Sequence, residues 1–459
     1  MPETPRTGAD SADETVTSPV DEQRVTGNGS PDGGETADGQ GGRETEAGDD
    51  ESTPRVSPTG ALRIVAFRQL WGNNIAYFMT VNAIRFVFGW YVLDGLQRGE
   101  REQGLVVFAL GIPAVFLVLQ AGVWADRLDP RRLLIATQVA ALSVLALTAT
   151  LIAIDQAPLP TMLVLAALAG AATTIGQPVR AALIPALAGR ENLFGAIALN
   201  ALAMTISMII GPVLAQAFGN AFGFDGAVWF LVGLLVIGLV IVWPLRVPPR
   251  EEPLGPRRSL VVDTVEAVGH VVRDPALRIL FGLLTMSGLT VNPLVMVTLQ
   301  AFVKEELGRN SGDAAPLLAV MGVGIAISSV VVMRKGDMAN KGAAFQRAMM
   351  VGSTMVFLMG RTDEYWQLFP LTLGMGLAGG FYINMNQGLI QANTPQALMG
   401  RVMGLFTLVQ VGLMPIGALA LGLIASTIGI GLTMSVTAAL ALAVVVTTYV
   451  SSPELRRLR

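Results

Sequence analysis

The stretch AVWFLVGLLVIGLVIVWPL, residues 227–245, has no polar side chain before its end and decides the class of fold. An α-helix of about 20 residues crosses the hydrocarbon core of a bilayer. A helix that is apolar on every face must be covered by lipid or protein all round, because water cannot solvate it favourably. We therefore expect this segment to be a transmembrane helix that faces lipid.

Similar apolar stretches lie on both sides of this segment and alternate with short charged loops. We count twelve from Leu70 onward, at approximately residues 71–93, 103–125, 133–154, 159–183, 194–218, 227–245, 279–303, 315–333, 344–360, 369–390, 402–424 and 429–450. The composition agrees, since 52% of the residues are hydrophobic and only 14% are charged, against about 25% charged in a soluble domain. The sequence predicts an all-α polytopic membrane protein with twelve transmembrane helices.

The longest internal break, residues 246–278, divides the spans six plus six. A short repeat supports this division, because Ala186-Leu-Ala-Gly-Arg190 returns as Ala397-Leu-Met-Gly-Arg401 after 397 − 186 = 211 residues. Asp126 and Asp337 are separated by the same 211 residues. Two related six-helix bundles are therefore expected, as in transporters built from internal repeats.

The first 53 residues hold fourteen acids against three arginines and almost no aliphatic side chain. Such a segment buries too little apolar surface to offset its ordering entropy, so we predict a disordered acidic tail. The expected organisation is a tail at 1–60, an N-terminal bundle at 61–247, a cytoplasmic linker with an amphipathic helix at 248–278, a C-terminal bundle at 279–450 and a short basic tail at 451–459.

Lysine and arginine are distributed unevenly between the two sides of the predicted bundle. With the N-terminus placed in the cytoplasm, the inner flanks and loops hold 22 of them and the outer loops five. Cytoplasmic loops of membrane proteins carry the excess of basic residues. We expect a multi-pass plasma-membrane protein with both termini in the cytoplasm.

The residue types needed for catalysis are scarce. The chain has no cysteine and one histidine, His270 in the linker, and no pair of acids lies within a span. A membrane-embedded enzyme would need a Ser/His or paired-Asp site or a His/Glu metal cluster, and a primary pump would need a phosphate-binding loop. We predict a protein that is not an enzyme and that binds no metal, cofactor or nucleic acid.

One loop carries a specific motif. The second span is followed by Gly122-Val-Trp-Ala-Asp126-Arg127-Leu-Asp-Pro-Arg131-Arg132, which resembles the loop signature of the major facilitator superfamily. Asp129-Pro130 replaces the usual second glycine, so the turn differs in detail. The resemblance covers most of the chain, through the span count, the half-repeat and the central loop, and it implies the major facilitator fold. Gln177-Pro-Val-Arg180 and the residues after it resemble the branch of siderophore exporters and macrolide efflux pumps.

The resemblance implies a gate at the cytoplasmic side. A carboxylate at a helix end can bind the N-terminus of a facing helix through its dipole and free N–H groups, and the resemblance gives Asp126 this latch role against the eleventh helix. The predicted latch residues are Gly122, Asp126, Arg127, Arg131, Arg132, Arg180 and, in the second copy, Asp337. Alternatively, Arg127, Arg131 and Arg132 only anchor the topology.

The resemblance also implies that the first, fourth, seventh and tenth helices line a central cavity. Polar residues in and at the ends of these helices are the predicted substrate or coupling residues: Asn82, Arg85, Asp94, Gln177, Asn292, Asn384, Gln387 and Gln391. Arg85 is the clearest charge inside a span and should face water, a partner or an anionic substrate group. It either belongs to a substrate or coupling site, or forms a structural pair or snorkels outward. The Asn/Gln stripe either lines the cavity or joins helices. Asp94 is the nearest candidate for proton coupling.

Prolines inside the predicted spans indicate kinks, because they remove a helical hydrogen bond. The predicted positions are Gly211-Pro212, Pro293 and Pro415.

These observations predict a secondary active transporter that works by alternating access. The resemblance favours an exporter of small lipophilic or siderophore-like molecules driven by an ion gradient. The expected partners are a small-molecule substrate, protons or another coupling ion, and the lipid bilayer, with the chain acting as a monomer. A lipid flippase or a transporter-like receptor of the same fold is the alternative, and a membrane-embedded enzyme is a distant third.

Overall fold

The computed structural model describes residues 60–247, 260–335 and 340–458. Within these residues every regular element is helical. The helices are α1 Val65–Trp90, α2 Glu100–Arg127, α3 Pro130–Ala153, α4 Leu159–Val242, α5 Leu260–Arg273, α6 Pro275–Leu289, α7 Val291–Pro293, α8 Leu299–Glu305, α9 Ala314–Lys335, α10 Lys341–Met359, α11 Leu368–Ala392, α12 Met399–Ile428, α13 Ile430–Ser451 and α14 Pro453–Arg457. Most of the predicted tail and Asp337 lie outside the described residues.

The long helix α4 is broken at two glycines. Gly189 (φ 71°) and Gly223 (φ 88°) adopt the left-handed region, where a side chain would strain the backbone. The two breaks divide its 84 residues into three parts. These parts overlap the fourth, fifth and sixth predicted spans, so the quoted stretch 227–245 lies at the end of α4 and just beyond it.

The seventh predicted span is interrupted in its middle. Helix α6 ends before Thr290 (φ −117°, ψ −75°), and α7 is followed by a π-helical turn, Leu294–Thr298, before α8 begins. Pro293 lies at this interruption, where a proline removes a backbone donor. Pro212 and Pro415 lie inside α4 and α12, and the kinks expected at these two prolines stay predictions.

Two helices, α3 and α6, begin with the same type of N-cap. Asp129 caps α3 by accepting a hydrogen bond from the Arg132 N–H (2.9 Å), with Pro130 as the first helical residue. Asp274 caps α6 by accepting from the Leu277 N–H (2.9 Å), with Pro275 next. A side-chain oxygen satisfies an unpaired N–H of the first turn, and proline has no N–H to leave unpaired. The Asp-Pro pair that departs from the family signature is therefore a helix cap.

The described residues contain nine helical stretches that are long and apolar enough to cross a membrane. The longest, Glu191–Val242, has 52 residues and contains the break at Gly223. An all-helical chain of this kind fits the predicted class, whereas the count of twelve crossings stays a prediction. Helices α1–α4 are called the first helix group below, and α6–α13 the second helix group.

Helix α5 has two apolar faces. Ala267 and Val271 are buried in a cluster with residues of the second helix group, whereas Val265 and Val272 are exposed. Glu266 pairs with Arg401 at the start of α12 (2.6 Å), which ties the helix to the second group. The exposed apolar face agrees with a helix that lies along a membrane surface.

Candidate functional site

A buried arginine lies at the centre of the first helix group. Arg180 on α4 is only 2% exposed, and its Nη2 donates hydrogen bonds to Gln138 Oε1 (3.0 Å) and Asn73 Oδ1 (3.3 Å). Its Nη1 donates to the Gly176 carbonyl (3.0 Å), and the guanidinium stacks 3.5 Å from the centroid of the Tyr77 ring. Neutral oxygens and one aromatic face therefore replace the water that this cation loses on burial.

The partners of Arg180 are themselves connected across three helices. Asn73 Nδ2 donates to Gln138 Oε1 (2.8 Å) and to the Gly238 carbonyl (2.8 Å). Gln138 Nε2 donates to the Leu235 carbonyl (3.0 Å). This network joins α1, α3 and the first and third parts of α4. Among the described residues no carboxylate pairs with Arg180. The latch role predicted for Arg180 stays a prediction, since the Asp126 side chain is outside the described part.

Gln138 was absent from the predicted site. It lies in the third span, which the family resemblance places at the lipid. A glutamine inside an apolar span costs free energy unless it has a hydrogen-bond partner. Its presence in the sequence could therefore have indicated a buried polar contact.

Arg85 lies on α1, five residues before its end and about two helical turns beyond Tyr77, and is half-buried. Its guanidinium makes no hydrogen bond or ion pair with any residue in the described ranges. Asn82, one turn earlier, donates to the Phe78 carbonyl of its own helix (2.9 Å). A cation at this depth is costly unless water or an anion reaches it. The substrate or coupling role expected of Arg85 stays a prediction.

One end of the two helix groups is closed by Asp94. Its Oδ2 accepts hydrogen bonds from the N–H (2.9 Å) and the hydroxyl (2.7 Å) of Ser311, and its Oδ1 lies 3.4 Å from Lys304 Nζ. Lys304 also donates to the Leu93 carbonyl. Asp94 follows α1, whereas Lys304 and Ser311 lie at the end of α8 and just before α9, so these contacts join the first group to the second. We call this end of the molecule the closed end.

A second polar contact crosses between the groups beneath Asp94. Gln103 Nε2 on α2 donates to Gln300 Oε1 on α8 (2.8 Å), and Gln300 Nε2 donates to the Phe86 carbonyl on α1 (2.9 Å). Gly89 makes this approach possible, because a Cβ there would lie 2.4 Å from Gln300 Oε1. The amide pair is buried and extends the closure inward from the surface.

Glycines let the two groups pack closely in the same region. A Cβ on Gly111 of α2 would lie 2.1 Å from Pro415 Cγ of α12, and one on Gly422 would lie 2.6 Å from the Glu100 carbonyl. On the other flank, a Cβ on Gly322 of α9 would lie 2.5 Å from Ile209 Cγ1 of α4. Small residues at helix crossings allow this close approach in membranes. Pro415, predicted to kink its helix, is thus a contact between the groups.

At the opposite end of the same helices, three glycines have no close neighbour. Gly388, Gly400 and Gly404, at the end of α11 and the start of α12, have no neighbouring side chain or backbone atom within 4 Å of an added Cβ among the described residues. The predicted cavity residues Gln177, Asn384, Gln387 and Gln391 are all exposed there or near mid-helix. Polar side chains are costly against lipid, so an aqueous crevice between the groups explains their exposure. Asn384 also donates to Ser329 Oγ (3.0 Å) on α9.

The second helix group contains a cavity of about 60 Å³ between α6, α7, α10 and α11. Its polar lining consists of the side chains of Ser287, Asn292, Ser353 and Tyr382. The Tyr382 hydroxyl, which is buried, lacks a hydrogen-bond partner of acceptable geometry in the described residues, although Ser287 and Asn386 lie near it. A buried water needs roughly 10–15 Å³ of such space and two or more polar partners. The cavity therefore has room for a few waters or one small uncharged polar group, and of the predicted residues it includes Asn292.

The remaining predicted latch residues fall into two sets. The side chains of Asp126 and Arg127, the surroundings of Gly122 on the same helix, and all of Asp337 are outside the described part. Arg131 Nη2 donates to the Trp243 carbonyl (2.6 Å), and Arg132 Nε lies 3.9 Å from the Asp129 carboxylate. Both described contacts stay within the first helix group.

Comparisons with known proteins agree with this architecture. The family model described as Major Facilitator Superfamily matches residues 70–418. The enterobactin exporter EntS of Citrobacter koseri is 24% identical over 380 residues, 77% of this chain and 88% of the relative. An uncharacterized MFS-type transporter of Bacillus subtilis, YkuC, is 20% identical over 352 residues, 74% of this chain and 80% of that protein.

Solved transporter structures share the fold at low sequence identity. The nucleoside transporter NupG superposes with a TM-score of 0.68 at 14% identity, over 84% of this chain and 98% of that one. A POT family transporter in complex with 5-aminolevulinic acid superposes with a TM-score of 0.68 at 12% identity, over 86% of this chain and 96% of that one.

Proposed function

Because the chain belongs to the major facilitator superfamily, we propose that it is a secondary active transporter that moves a small molecule across the plasma membrane by alternating access. The all-α multi-pass architecture and the resemblance to known members of the family are the premise. The direction, the coupling and the substrate class are inferred below from the positions of individual residues.

The contacts at the two ends support alternating access. Asp94, Lys304 and Ser311 join the helix groups at the closed end, whereas the glycines of α12 lack close neighbours at the other end. The distribution of arginines favours a cytoplasmic position for the open end. The described conformation is then an inward-facing state, with the Asp94 contacts forming its outer gate. The opposite, outward-facing state would break these contacts and close the cytoplasmic side, where Asp126 and Asp337 are the proposed latch acids.

The observation that carries the substrate assignment is the free guanidinium of Arg85. It lies within the first predicted span, in the second half of α1, and has no hydrogen-bond or ion-pair partner among the described residues. An unpaired charge in a membrane protein is retained where it contacts water or a ligand. Arg85 is thus the proposed anchor for an anionic or carbonyl-rich group of the solute. The exposed amides of Gln177, Gln387 and Gln391 supply further hydrogen bonds along the crevice.

Export is the proposed direction, and an ion gradient the proposed driving force. The support for export is the likeness to enterobactin exporters, which extends over three quarters of this chain. By analogy the solute is a small lipophilic or siderophore-like molecule. Asp94 acts as a gate residue in this scheme, because its carboxylate already has partners from the other helix group. We propose that a single chain is sufficient for transport.

Transport in proteoliposomes tests this proposal. Purified protein is reconstituted and supplied with a panel of siderophores, drugs and labelled phospholipids, with and without a pH or sodium gradient. We expect at least one anionic or carbonyl-rich solute to be transported and the phospholipids to stay in their leaflet. Movement of the lipids alone would identify a flippase instead.

Arg85→Ala should then lower transport of that solute by at least about tenfold, the equivalent of one lost charge-assisted hydrogen bond of roughly 1.5–3 kcal/mol. Arg85→Lys should keep part of the activity, because it keeps the charge. Arg98→Ala, in an exposed loop at the closed end, is the matched control. If Arg85→Ala keeps the affinity and rate of the unmodified protein, Arg85 does not bind the solute.

A further inference from the structure

Two arginines converge on one tyrosine in the second helix group, at the end opposite the closed end. Arg347 Nη2 on α10 lies 3.3 Å from the Tyr449 hydroxyl on α13. Arg456 on α14 has its guanidinium carbon 5.0 Å from the centroid of the same ring. Three helices therefore place two cations around one uncharged aromatic side chain. We call this set the Tyr449 cluster.

The backbone holds Arg456 in this position. The chain reverses after α13, and α14 packs on the first turn of α10, where the Gly342 N–H donates to the Leu458 carbonyl (3.3 Å). A Cβ on Gly342 would lie 1.7 Å from the Leu455 carbonyl, so the two segments are in direct backbone contact. Leu455 is itself buried in the core of the second group. The cluster is thus a fixed arrangement built by the fold.

The positive charge of the cluster lacks a described counter-charge. Arg347 and Arg456 form no ion pair with a carboxylate in the part of the chain that the structure describes. The Nε of Arg456 is buried without a hydrogen-bond partner there. In the sequence, residues 441–459 contain one acid, Glu454, whose side chain is not described, against Arg456, Arg457 and Arg459. Like charges held together repel unless an anion lies between them, so the cluster is suited to bind one.

The surroundings of the cluster indicate which anion reaches it. Val446 and Val450, one turn before Tyr449 and beside it, are 43% and 68% exposed. They lie on α13, a helix long and apolar enough to cross the membrane. Acyl chains would cover these valines, and a headgroup at the end of those chains would meet the arginines. Tyrosine is common at this depth, where one end of its ring is apolar and the other is wet.

We propose that the Tyr449 cluster is a binding site for the phosphate headgroup of an anionic phospholipid, whose acyl chains lie along α13. Arg347 and Arg456 contact the phosphate oxygens, and the valines contact the first part of the chains. The bound lipid would tie the short C-terminal helix to α10 and α13. This site is separate from the crevice and does not depend on the transported solute.

Binding of phosphatidylglycerol to the purified full chain tests the proposal. The protein is placed in nanodiscs of phosphatidylcholine with increasing phosphatidylglycerol, and the lipid retained after extraction is counted by native mass spectrometry. We expect the unmodified protein to retain phosphatidylglycerol in preference to phosphatidylcholine. Arg347→Gln with Arg456→Gln should lower this preference by roughly 30-fold, from about 1 kcal/mol for each basic residue near an anionic surface.

The matched control is Arg361→Gln, just beyond the other end of α10. Arg361 also contacts a hydroxyl (Ser435 Oγ, 3.2 Å) and an aromatic ring (Phe357, 5.7 Å), but at the closed end. This variant should leave retention unchanged, and the double variant to lysine should keep part of the preference. Thermal melts and circular dichroism confirm that each variant is folded.

Equal retention by the double glutamine variant and the unmodified protein would overturn the proposal. Full competition by millimolar inorganic phosphate would overturn it as well, because it would indicate a site for a free anion rather than for a lipid. Neither outcome bears on transport, so this proposal can fail while the proposed function stands.

Discussion

Replacing Asp94 by Asn should open the closed end. The carboxylate accepts two hydrogen bonds from Ser311 and lies 3.4 Å from the Lys304 ammonium, and all three contacts cross between the helix groups. They exist in the described conformation and must break when this end opens. The substitution keeps the size of the side chain and removes its charge, so it weakens one state selectively.

The size of the shift toward the open state follows from the surroundings of Asp94 and Lys304. The side chains of Asp94 and Lys304 are 12% and 21% exposed, so water screens their attraction only in part. A hydrogen bond to a charged group contributes about 1.5–3 kcal/mol, and an asparagine oxygen retains part of that. We therefore expect a net loss of about 1–2 kcal/mol, which raises the ratio of open to closed molecules roughly 5- to 30-fold.

Distances between spin labels report this ratio directly. The chain has no cysteine, so Arg98→Cys and Glu305→Cys give two unique labelling sites, both exposed and on different helix groups at the closed end. Pulsed electron paramagnetic resonance of the labelled protein should show one short distance, and the Asp94→Asn variant should add a longer one. Asp363→Asn is the control, since Asp363 is an exposed acid at the same end without a described contact across the groups.

A combination with Lys304→Gln separates the ion pair from the serine contacts. If Asp94 acts through Lys304, the effects of the two substitutions should be less than additive. An unchanged distance distribution in Asp94→Asn would refute the assignment of this residue to a gate.

Two further substitutions test the packing. Gly111→Val should prevent full closure and lengthen the distance between the two spin labels, because its Cβ would lie 2.1 Å from Pro415 Cγ. Gly233→Val is the control and should leave this distance unchanged, since a Cβ there has no neighbour within 4 Å. Gln138→Leu should lower the melting temperature in detergent by several degrees, because it leaves the buried Arg180 with fewer hydrogen-bond partners. The expected loss in free energy of unfolding is roughly 2–4 kcal/mol. A melting temperature equal to that of the unmodified protein would show that the polar network is not required for stability.

The sequence predicted the class of fold well, because that class depends on local properties. Apolar stretches of membrane length, short charged loops and the signature around Asp126 each indicate a helical membrane transporter by themselves. The family match confirms the resemblance. The interruption near Pro293 is local as well, and the proline indicated it. The caps at Asp129 and Asp274 are also local, but the sequence analysis did not predict them.

The site was predicted less completely. Arg85 was identified because a charge inside a span is conspicuous, and the structure leaves it without a described partner. Arg180 was assigned to the cytoplasmic latch, a role that stays a prediction, and the sequence did not indicate that this side chain is buried against Asn73 and Gln138. No periodicity in the chain connects residues that are 42 and 107 positions away from it.

By itself the sequence determined that this chain is a bundle of membrane helices of one superfamily, because hydrophobic length and turn chemistry act over a few residues. Only the tertiary structure decided which end of the bundle is closed. Asp94 meets Ser311 from 217 positions away, and Gln103 meets Gln300 from 197, through glycines that let their helices approach. Such pairs depend on how two helix groups pack against each other, and the energy of that packing is shared among many distant residues.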